Sequence, residues 1–436
     1  MSDTRPPLTR LSVMMFLQYA VWGAWLPILY PFLLGHRGFS LDQVGMILAA
    51  GAVGAIFGPF IAGQIADRYF ATERFLAVSH IIGAVLVWFL ADVEKYEWFL
   101  LLSLVYGFVY SPTIALTNSL AFHHLTDRDK QFGPVRLWGT IGWIAVGIGV
   151  GHWLGIHHTP ADTSQDAIEA AWNAGRADAF KLSAIVGLLM GIYCLFLPHT
   201  PPSKEAKESN ATFEAMGEIR RQPLVTLFLL AVPISIIHQF YFVHTSQFLS
   251  GIQSDTADKF AGAINKVLGV GGGGIMTVGQ MAEIAVLAII PLLAKTISRK
   301  GLLAIGIVAY AARMALFAYA PSSMALLMLG VALHGLCFGC FIFVAFMVVD
   351  EETSDDVKAS AQNLFNLVIV GIGIIVGSWF ATSVAGNFAT EQVVNDAGET
   401  VGQMNYTTLF SIPMWMALGC LVVLLVFYPG KKSAAA

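Results

Sequence analysis

Arg136, Thr140 and Trp143 place a permanent charge, a hydroxyl group and an indole ring in one apolar segment, FGPVRLWGTIGWIAVG. Their spacing of i, i+4 and i+7 puts all three on one face of a helix. A guanidinium at the centre of a bilayer costs roughly 2.5–3.5 kcal/mol, so it needs a compensating environment. Two environments remain open: Arg136 reaches the lipid headgroups from a helix end, or it faces the inside of a helix bundle and binds a polar ligand there.

A second polar pair, Gln280 and Glu283, lies in the apolar segment VGQMAEIA. Residues three apart share a helix face, so an amide that both donates and accepts hydrogen bonds lies beside an ionisable carboxyl group. A carboxyl group binds a proton more readily when it is buried and less readily beside a cation. Glu283 could therefore load and release a proton as its surroundings change. The alternative is a structural acid that is paired permanently with an arginine.

Gln18 and Trp22 lie one helical turn apart in the first apolar segment, and Trp25 follows one turn later. An amide and two indole faces on one side of a helix suit a flat heterocycle, because stacking on an aromatic ring is worth about 1–3 kcal/mol per base in other proteins. The alternative for the tryptophans is an interfacial aromatic belt. Asn118 lies inside another apolar segment, where it either binds substrate or bonds a neighbouring helix.

The composition indicates that membrane-spanning helices position these residues. Of 436 residues, 56% are hydrophobic and 12% are charged, against about 25% charged residues in a soluble domain. No long basic segment indicates nucleic-acid binding, and the four cysteines all lie in apolar segments, where neither a disulfide framework nor a metal site is expected. We predict an all-α polytopic membrane protein that has no cofactor and no metal and is not an enzyme.

Twelve segments have the length of about 20 apolar residues that a spanning helix needs. They cover approximately residues 12–34, 45–65, 75–91, 98–122, 135–154, 180–197, 224–248, 274–294, 302–320, 324–349, 359–386 and 406–428. A hydrophilic segment after the sixth predicts an N-terminal six-helix bundle at 1–198, a cytoplasmic linker at 199–223 and a C-terminal six-helix bundle at 224–436. Most Lys and Arg residues lie on the side of the N-terminus, which predicts two cytoplasmic termini. Two long segments, 155–179 and 249–273, are predicted to be external. The first is predicted to be a solvated loop, and GVGGGG at 269–274 is predicted to be a flexible entry to the eighth span.

The segment GQIADRYFATER, between the second and third predicted spans, contains Gly63, Asp67 and Arg68. A small residue lets helices approach, and an acid at a helix end can pair with basic residues of the other bundle and latch one conformation. This segment resembles the cytoplasmic-loop motif of the major facilitator superfamily, although Tyr69 and Phe70 displace the glycine that usually follows the Asp-Arg pair. The resemblance implies the major facilitator fold, with Asp67 and Arg68 as the conformational latch.

Five further blocks together resemble the bacterial nucleoside:proton symporters of that superfamily. They are FLQYAVWGAWLP (16–27), YSPTIALTNS (110–119), FGPVRLWGTIGW (132–143), ARMALFAYA (312–320) and KASAQNLF (358–365). The positions that match the family's substrate-site pattern are Arg136, Thr140, Trp143, Gln239, Gln280, Glu283 and Phe338. Phe242 stands where the better-known members have an asparagine, so a contact to a sugar hydroxyl is missing.

The tenth predicted span departs further from the family pattern. His334 replaces a tyrosine, and Gly339 replaces an aspartate that is the family's expected ionisable group there. Glu283 is therefore expected to carry the coupling proton, with His334 as the next candidate because imidazole titrates near neutral pH. Arg136 rather than Arg313 is its expected counter-charge, because the ninth span of this superfamily generally lies outside the cavity lining.

The resemblance implies a monomeric nucleoside transporter of a bacterial inner membrane that imports its substrate together with protons by alternating access. Aromatic rings would hold the base, while Gln, Thr, Arg and His334 would satisfy the polar groups of ribose and base. A sugar or drug transporter of the same fold remains an alternative, as does an uncoupled facilitator, which the loss of the acid at Gly339 suggests. An intramembrane enzyme or sensor is a further alternative, for which the chain contains neither a nucleophile–base motif nor an effector domain.

Overall fold

The computed structural model describes residues 7–68, 70–161, 164–201, 216–255, 259–354, 357–394 and 400–430. Eleven helices within these ranges are long and apolar enough to cross a membrane, and a further helix covers the predicted second span. In chain order, the first to the twelfth span are Leu8–Gly35, Leu41–Arg68, Thr72–Leu90, Tyr96–His124, Arg128–His157, Ala177–Cys194, Leu224–Gln253, Gly273–Thr296, Arg299–Tyr319, Met324–Glu352, Ser360–Ala389 and Tyr406–Phe427. Each predicted apolar segment coincides with one of these helices.

Several spans change their winding where the sequence allows or requires it. The first span contains a 3₁₀ turn at Leu26–Ile28, where Pro27 has no backbone N–H to donate. The tenth span contains a π-helical turn at Cys337–Phe343, and the eleventh contains two more, at Leu367–Ile372 and Phe380–Gly386. Such turns occur often at functional sites, and that of the tenth span includes the predicted site residue Phe338.

The chain forms two compact units. Unit 1 consists of Met1–Lys207 and Leu249–Thr277, and unit 2 consists of Glu208–Phe248 and Val278–Ala436. The segment 249–277, which joins the seventh span to the eighth, therefore belongs to unit 1 although both spans continue in unit 2. The two predicted six-helix bundles stay a prediction, and most of the predicted linker lies at 202–215, outside the described residues.

Each of the two segments predicted to be external contains a helix, although a solvated loop was predicted for 155–179. Gln165–Gly175 precedes the sixth span, and Lys259–Leu268 precedes the eighth. The helix Gln165–Gly175 forms because its apolar side chains share one face, on which Ile168 and Trp172 are buried. The loop prediction for 155–179 was wrong because a criterion based on long apolar segments does not detect short amphipathic helices.

The segment 249–277 is fixed to the rest of unit 1 by hydrogen bonds. The Val270 backbone N–H donates to the Gly151 carbonyl oxygen over 3.0 Å. Arg176 is fully buried, and its Nη2 donates to Ser250 Oγ and to the Gly271 carbonyl oxygen at a distance of 3.0 Å in each case. The turn at Gly271 has φ +80°, a left-handed conformation that favours glycine. A buried cation therefore depends on two groups of this segment.

A two-stranded antiparallel hairpin adds β structure to the predicted all-α fold. Strand β1 is Thr390–Val394 and strand β2 is Thr400–Met404, with Thr390 opposite Met404. It joins the eleventh span to the twelfth, in unit 2.

Candidate functional site

Two glycines bring the first and fifth spans of unit 1 together. A Cβ atom at Gly23 would lie 2.9 Å from Trp143 Cα, and one at Gly142 would lie 2.2 Å from the Phe16 carbonyl oxygen. The two backbones can approach this closely only because neither glycine has a side chain. The approach places Trp22 and Trp143 edge to face, with ring centroids 6.4 Å apart and planes at 78°.

The rings around Trp22 form an aromatic group in unit 1. Trp22 is half-buried, and its ring centroid lies 5.4 Å from that of Tyr110. Trp25 is buried instead, with its ring centroid 5.4 Å from Tyr106 and 5.2 Å from Phe180. Trp25 therefore packs in the interior of unit 1, so the alternative of an interfacial aromatic belt does not describe it.

Arg136 is half-buried and stacks on a ring of the first span. Its Cζ lies 4.0 Å from the centroid of the Tyr19 ring, within the range of a cation–π contact. A Cβ atom at Gly139 would lie 2.8 Å from Arg136 Nη1, so the glycine provides the space for the guanidinium. Thr140 and Trp143, on the same helix face, are also half-buried. Substrate binding by these three residues stays a prediction.

Gln18 is fully buried, and both ends of its amide are occupied. Its Nε2 donates to Thr113 Oγ1 over 2.8 Å, and its Oε1 accepts from His80 Nε2 over 2.8 Å. The Tyr110 hydroxyl donates to the Gln18 carbonyl oxygen over 2.5 Å. Gln18 could contact a substrate only if this network opened. Asn118 is half-buried, and its Oδ1 has no hydrogen-bond partner among the described residues.

His80, which completes the Gln18 network, is not among the predicted residues. A histidine in the apolar segment HIIGAV of the third span was the available signal, since ionisable residues inside a membrane are often functional.

In unit 2 the eighth and tenth spans pack together through glycines. A Cβ atom at Gly335 would lie 2.5 Å from the Ala282 carbonyl carbon, which allows His334 and Glu283 to approach. A Cβ atom at Gly339 would lie 2.6 Å from Val286 Cγ1. The family's aspartate would therefore not fit at this position without a movement of Val286, which gives a steric reason for the departure found in the sequence.

His334 connects two charged side chains in unit 2. It is 2% exposed, and its Nδ1 lies 3.1 Å from Nη1 of Arg313, which is fully buried. Its Nε2 lies 3.6 Å from Glu283 Oε2, and the Glu283 side chain is 17% exposed. Arg313, the less favoured counter-charge in the sequence analysis, is thus linked to Glu283 through His334. The pairing of Glu283 with Arg136 stays a prediction.

Aromatic rings surround His334. Tyr241 stacks on the imidazole with centroids 4.8 Å apart and planes at 22°, and the Phe242 ring meets it edge to face at 5.9 Å. The imidazole of His238 lies 5.3 Å away, and its Nδ1 is hydrogen-bonded to the Tyr310 hydroxyl over 2.7 Å. His238 and Tyr310 were not predicted, although His238 directly precedes the predicted Gln239 in the apolar segment SIIHQFYF.

The remaining predicted residues lie in different surroundings. Gln239 is buried, and its Nε2 donates to Ser378 Oγ over 2.9 Å. Gln280 is also buried, and its Oε1 has no hydrogen-bond partner among the described residues. Phe338 is half-buried. The predicted latch at residues 67 and 68 ends the second span, and its side chains lie outside the described part of the chain.

Comparison with known proteins gives matches over nearly the whole chain. A family model described as nucleoside H+ symporter matches residues 7–433. The chain is similar to the protein YegT of Escherichia coli (strain K12), with 32% identity over 375 residues, 84% of this chain and 82% of that one. It is also similar to the xanthosine permease of the same organism, with 29% identity over 398 residues, 88% of this chain and 89% of that one.

A solved structure confirms the predicted fold. The crystal structure of the nucleoside transporter NupG matches with a TM-score of 0.80 and 24% identity, over 97% of this chain and 99% of that one.

Proposed function

Because the chain belongs to the nucleoside H+ symporter family, we propose that it carries nucleosides across a bacterial inner membrane together with protons. The chain is a multi-pass membrane protein of a transporter family and not an enzyme. In the proposal it works as a monomer with both termini in the cytoplasm, and two six-helix bundles expose the binding site to each side in turn.

The observation that carries this proposal is the family match over residues 7–433, which includes every predicted site residue. The two units have different proposed roles. In unit 1, Trp22 and Trp143 offer ring faces to a base, while Arg136 and Thr140 offer hydrogen bonds. In unit 2, Glu283 takes the proton. Gln239, Gln280 and Phe338 complete the substrate contacts, with Asp67 and Arg68 as the latch.

One observation favours a second candidate, an uncoupled nucleoside facilitator. The tenth span has Gly339 where the family has an acid, and Val286 occupies the space that an acid would need. Without proton coupling, the chain would equilibrate a nucleoside but not accumulate it.

The test is uptake of radiolabelled uridine by vesicles that contain the purified protein, with and without an inward proton gradient. We expect accumulation that depends on the gradient and is inhibited by purine nucleosides but not by free sugars. Vesicles without protein are the control. Inhibition by sugars would identify a sugar transporter, and uptake that ignores the gradient would identify the facilitator.

A further inference from the structure

We propose that His334 is a neutral hydrogen-bond donor that positions the Glu283 carboxyl group, and that Arg313 keeps this imidazole from taking the coupling proton. His334 is then a positioning residue and not the proton carrier. This inference rests on the proposed proton-coupled transport.

The contact with Arg313 determines which nitrogen of His334 carries the proton. A guanidinium has donors only, so at 3.1 Å from Arg313 Nη1 the Nδ1 atom of His334 must accept. The proton of the neutral imidazole is therefore on Nε2, which faces Glu283 Oε2 at 3.6 Å. A shift of a few tenths of an ångström brings this pair to hydrogen-bond distance.

The same contact opposes a second proton on His334. Protonation of Nδ1 would break the bond from Arg313 and place two cations side by side, in a position where His334 is 2% exposed and Arg313 is fully buried. Solvent there cannot separate the charges. A proton that arrives at this cluster is consequently bound by the carboxyl group of Glu283.

Among the described residues, other ionisable groups also lie around His334. They are Tyr241 and His238 of the seventh span, Tyr310 of the ninth and Cys337 of the tenth. Tyrosine and cysteine are neutral at physiological pH in the absence of a perturbing partner. His238 is hydrogen-bonded to the Tyr310 hydroxyl, and its ring lies 5.3 Å from that of His334. Glu283 is the acid that the His334 donor faces.

A glutamine can perform both proposed tasks of His334 without titrating. Its Nε2 donates as the imidazole Nε2 does, and its Oε1 accepts from Arg313. The variants His334→Gln and Glu283→Gln therefore separate the two possible carriers. The measurement is uptake with an inward proton gradient divided by uptake without one, so a change in absolute rate does not enter the result.

We expect this ratio to stay above one for His334→Gln and to fall to one for Glu283→Gln. A ratio of one for His334→Gln, in protein that still performs counterflow exchange, would overturn the inference because the imidazole would then carry the proton. If the wild-type protein performs no counterflow of uridine at all, the proposed function fails instead.

The donor role has its own readout in the pH profile of nucleoside binding. His334→Phe removes the donor that faces Glu283, whereas His334→Gln keeps one. We expect the midpoint of the profile to move in His334→Phe and to stay in place in His334→Gln. An unmoved midpoint in His334→Phe would refute the donor role.

The role of Arg313 is tested by removing its charge. In Arg313→Gln the imidazole is free to titrate, so the pH profile should gain a second step, and the double variant Arg313→Gln/His334→Gln should lose that step again. A single step in Arg313→Gln would refute the role of Arg313. The His334→Gln ratio does not depend on whether this buried position tolerates the change.

Discussion

The two units differ in the side chains that surround their candidate site residues. In unit 1, the amide of Gln18 is held at both ends by His80 and Thr113, and the exposed chemistry is that of ring faces. In unit 2, Gln280 Oε1 and two nitrogens of Arg313 have no hydrogen-bond partner among the described residues, and charged groups lie on both sides of His334. In the proposed function, unit 1 therefore offers aromatic ring faces for stacking, while unit 2 contributes the ionisable groups.

The largest expected effect is in unit 2. Glu283→Gln keeps the shape of the side chain but removes its charge and its ability to exchange a proton. We expect loss of gradient-driven accumulation, measured as uridine uptake by vesicles under an imposed pH gradient, while counterflow exchange is at least partly retained. Glu97→Gln, at an exposed acid of the fourth span, is the control. Gradient-driven accumulation of uridine by Glu283→Gln would show that Glu283 is structural, and unit 2 would then not differ from unit 1 in carrying the proton.

A smaller effect is expected from the rings of unit 1. Stacking on an aromatic side chain contributes about 1–3 kcal/mol per base, so Trp22→Ala or Trp143→Ala should weaken nucleoside binding by about 5- to 150-fold. Phenylalanine at either position should retain part of the affinity. The measurement is isothermal titration with purified protein. Trp88→Ala, an exposed tryptophan of the third span, is the matched control. Unchanged affinity in both alanine variants would indicate that Trp22 and Trp143 pack against their neighbours and do not bind the base.

The smallest effect is expected from Arg136 in unit 1. Arg136→Lys keeps the charge but loses the planar donors that stack on Tyr19 at 4.0 Å. Lysine can replace only part of the hydrogen bonds that a guanidinium would make to uridine, and one lost hydrogen bond is worth about 0.5–1.5 kcal/mol, so uridine should bind about 2- to 10-fold more weakly. Arg128→Lys is the control, since Arg128 is exposed and its Cζ lies 5.9 Å from the Phe122 centroid. Equal affinities of Arg136→Lys and wild type would remove Arg136 from the binding surface.

The sequence predicted the spans well because burial in a bilayer requires long apolar segments, and that pattern is local. It also predicted which residues share a helix face, such as Arg136, Thr140 and Trp143, because that follows from their spacing along one helix. It could not predict the neighbour of His334. Arg313 lies on another span, and the contact depends on the register between helices, which close approaches such as that of Gly335 to Ala282 determine. Hydropathy contains no information about that register.

The averaging of hydropathy also explains why the helices in the two segments predicted to be external were not predicted. The helices Gln165–Gly175 and Lys259–Leu268 are amphipathic, so a window that averages hydropathy reads them as polar. Their tertiary contacts, such as that of the Val267 carbonyl oxygen with His152 Nε2 at 3.2 Å, join residues far apart in the chain. The signal that could have found them is the spacing of apolar residues along each helix.

The assignment of 249–277 to unit 1 has a consequence for any attempt to express the protein as two halves. A fragment that ends in the linker lacks Ser250 and the Gly271 carbonyl group, which both accept hydrogen bonds from the buried Arg176. A buried donor that loses its partner costs about 1–3 kcal/mol, and more when it is charged. The N-terminal half is therefore incomplete by itself, and the piece that completes it is encoded in the other half. When the two halves are co-expressed, segment 249–277 of the C-terminal fragment must bind to the N-terminal fragment. Fragment complementation therefore measures how well 249–277 docks.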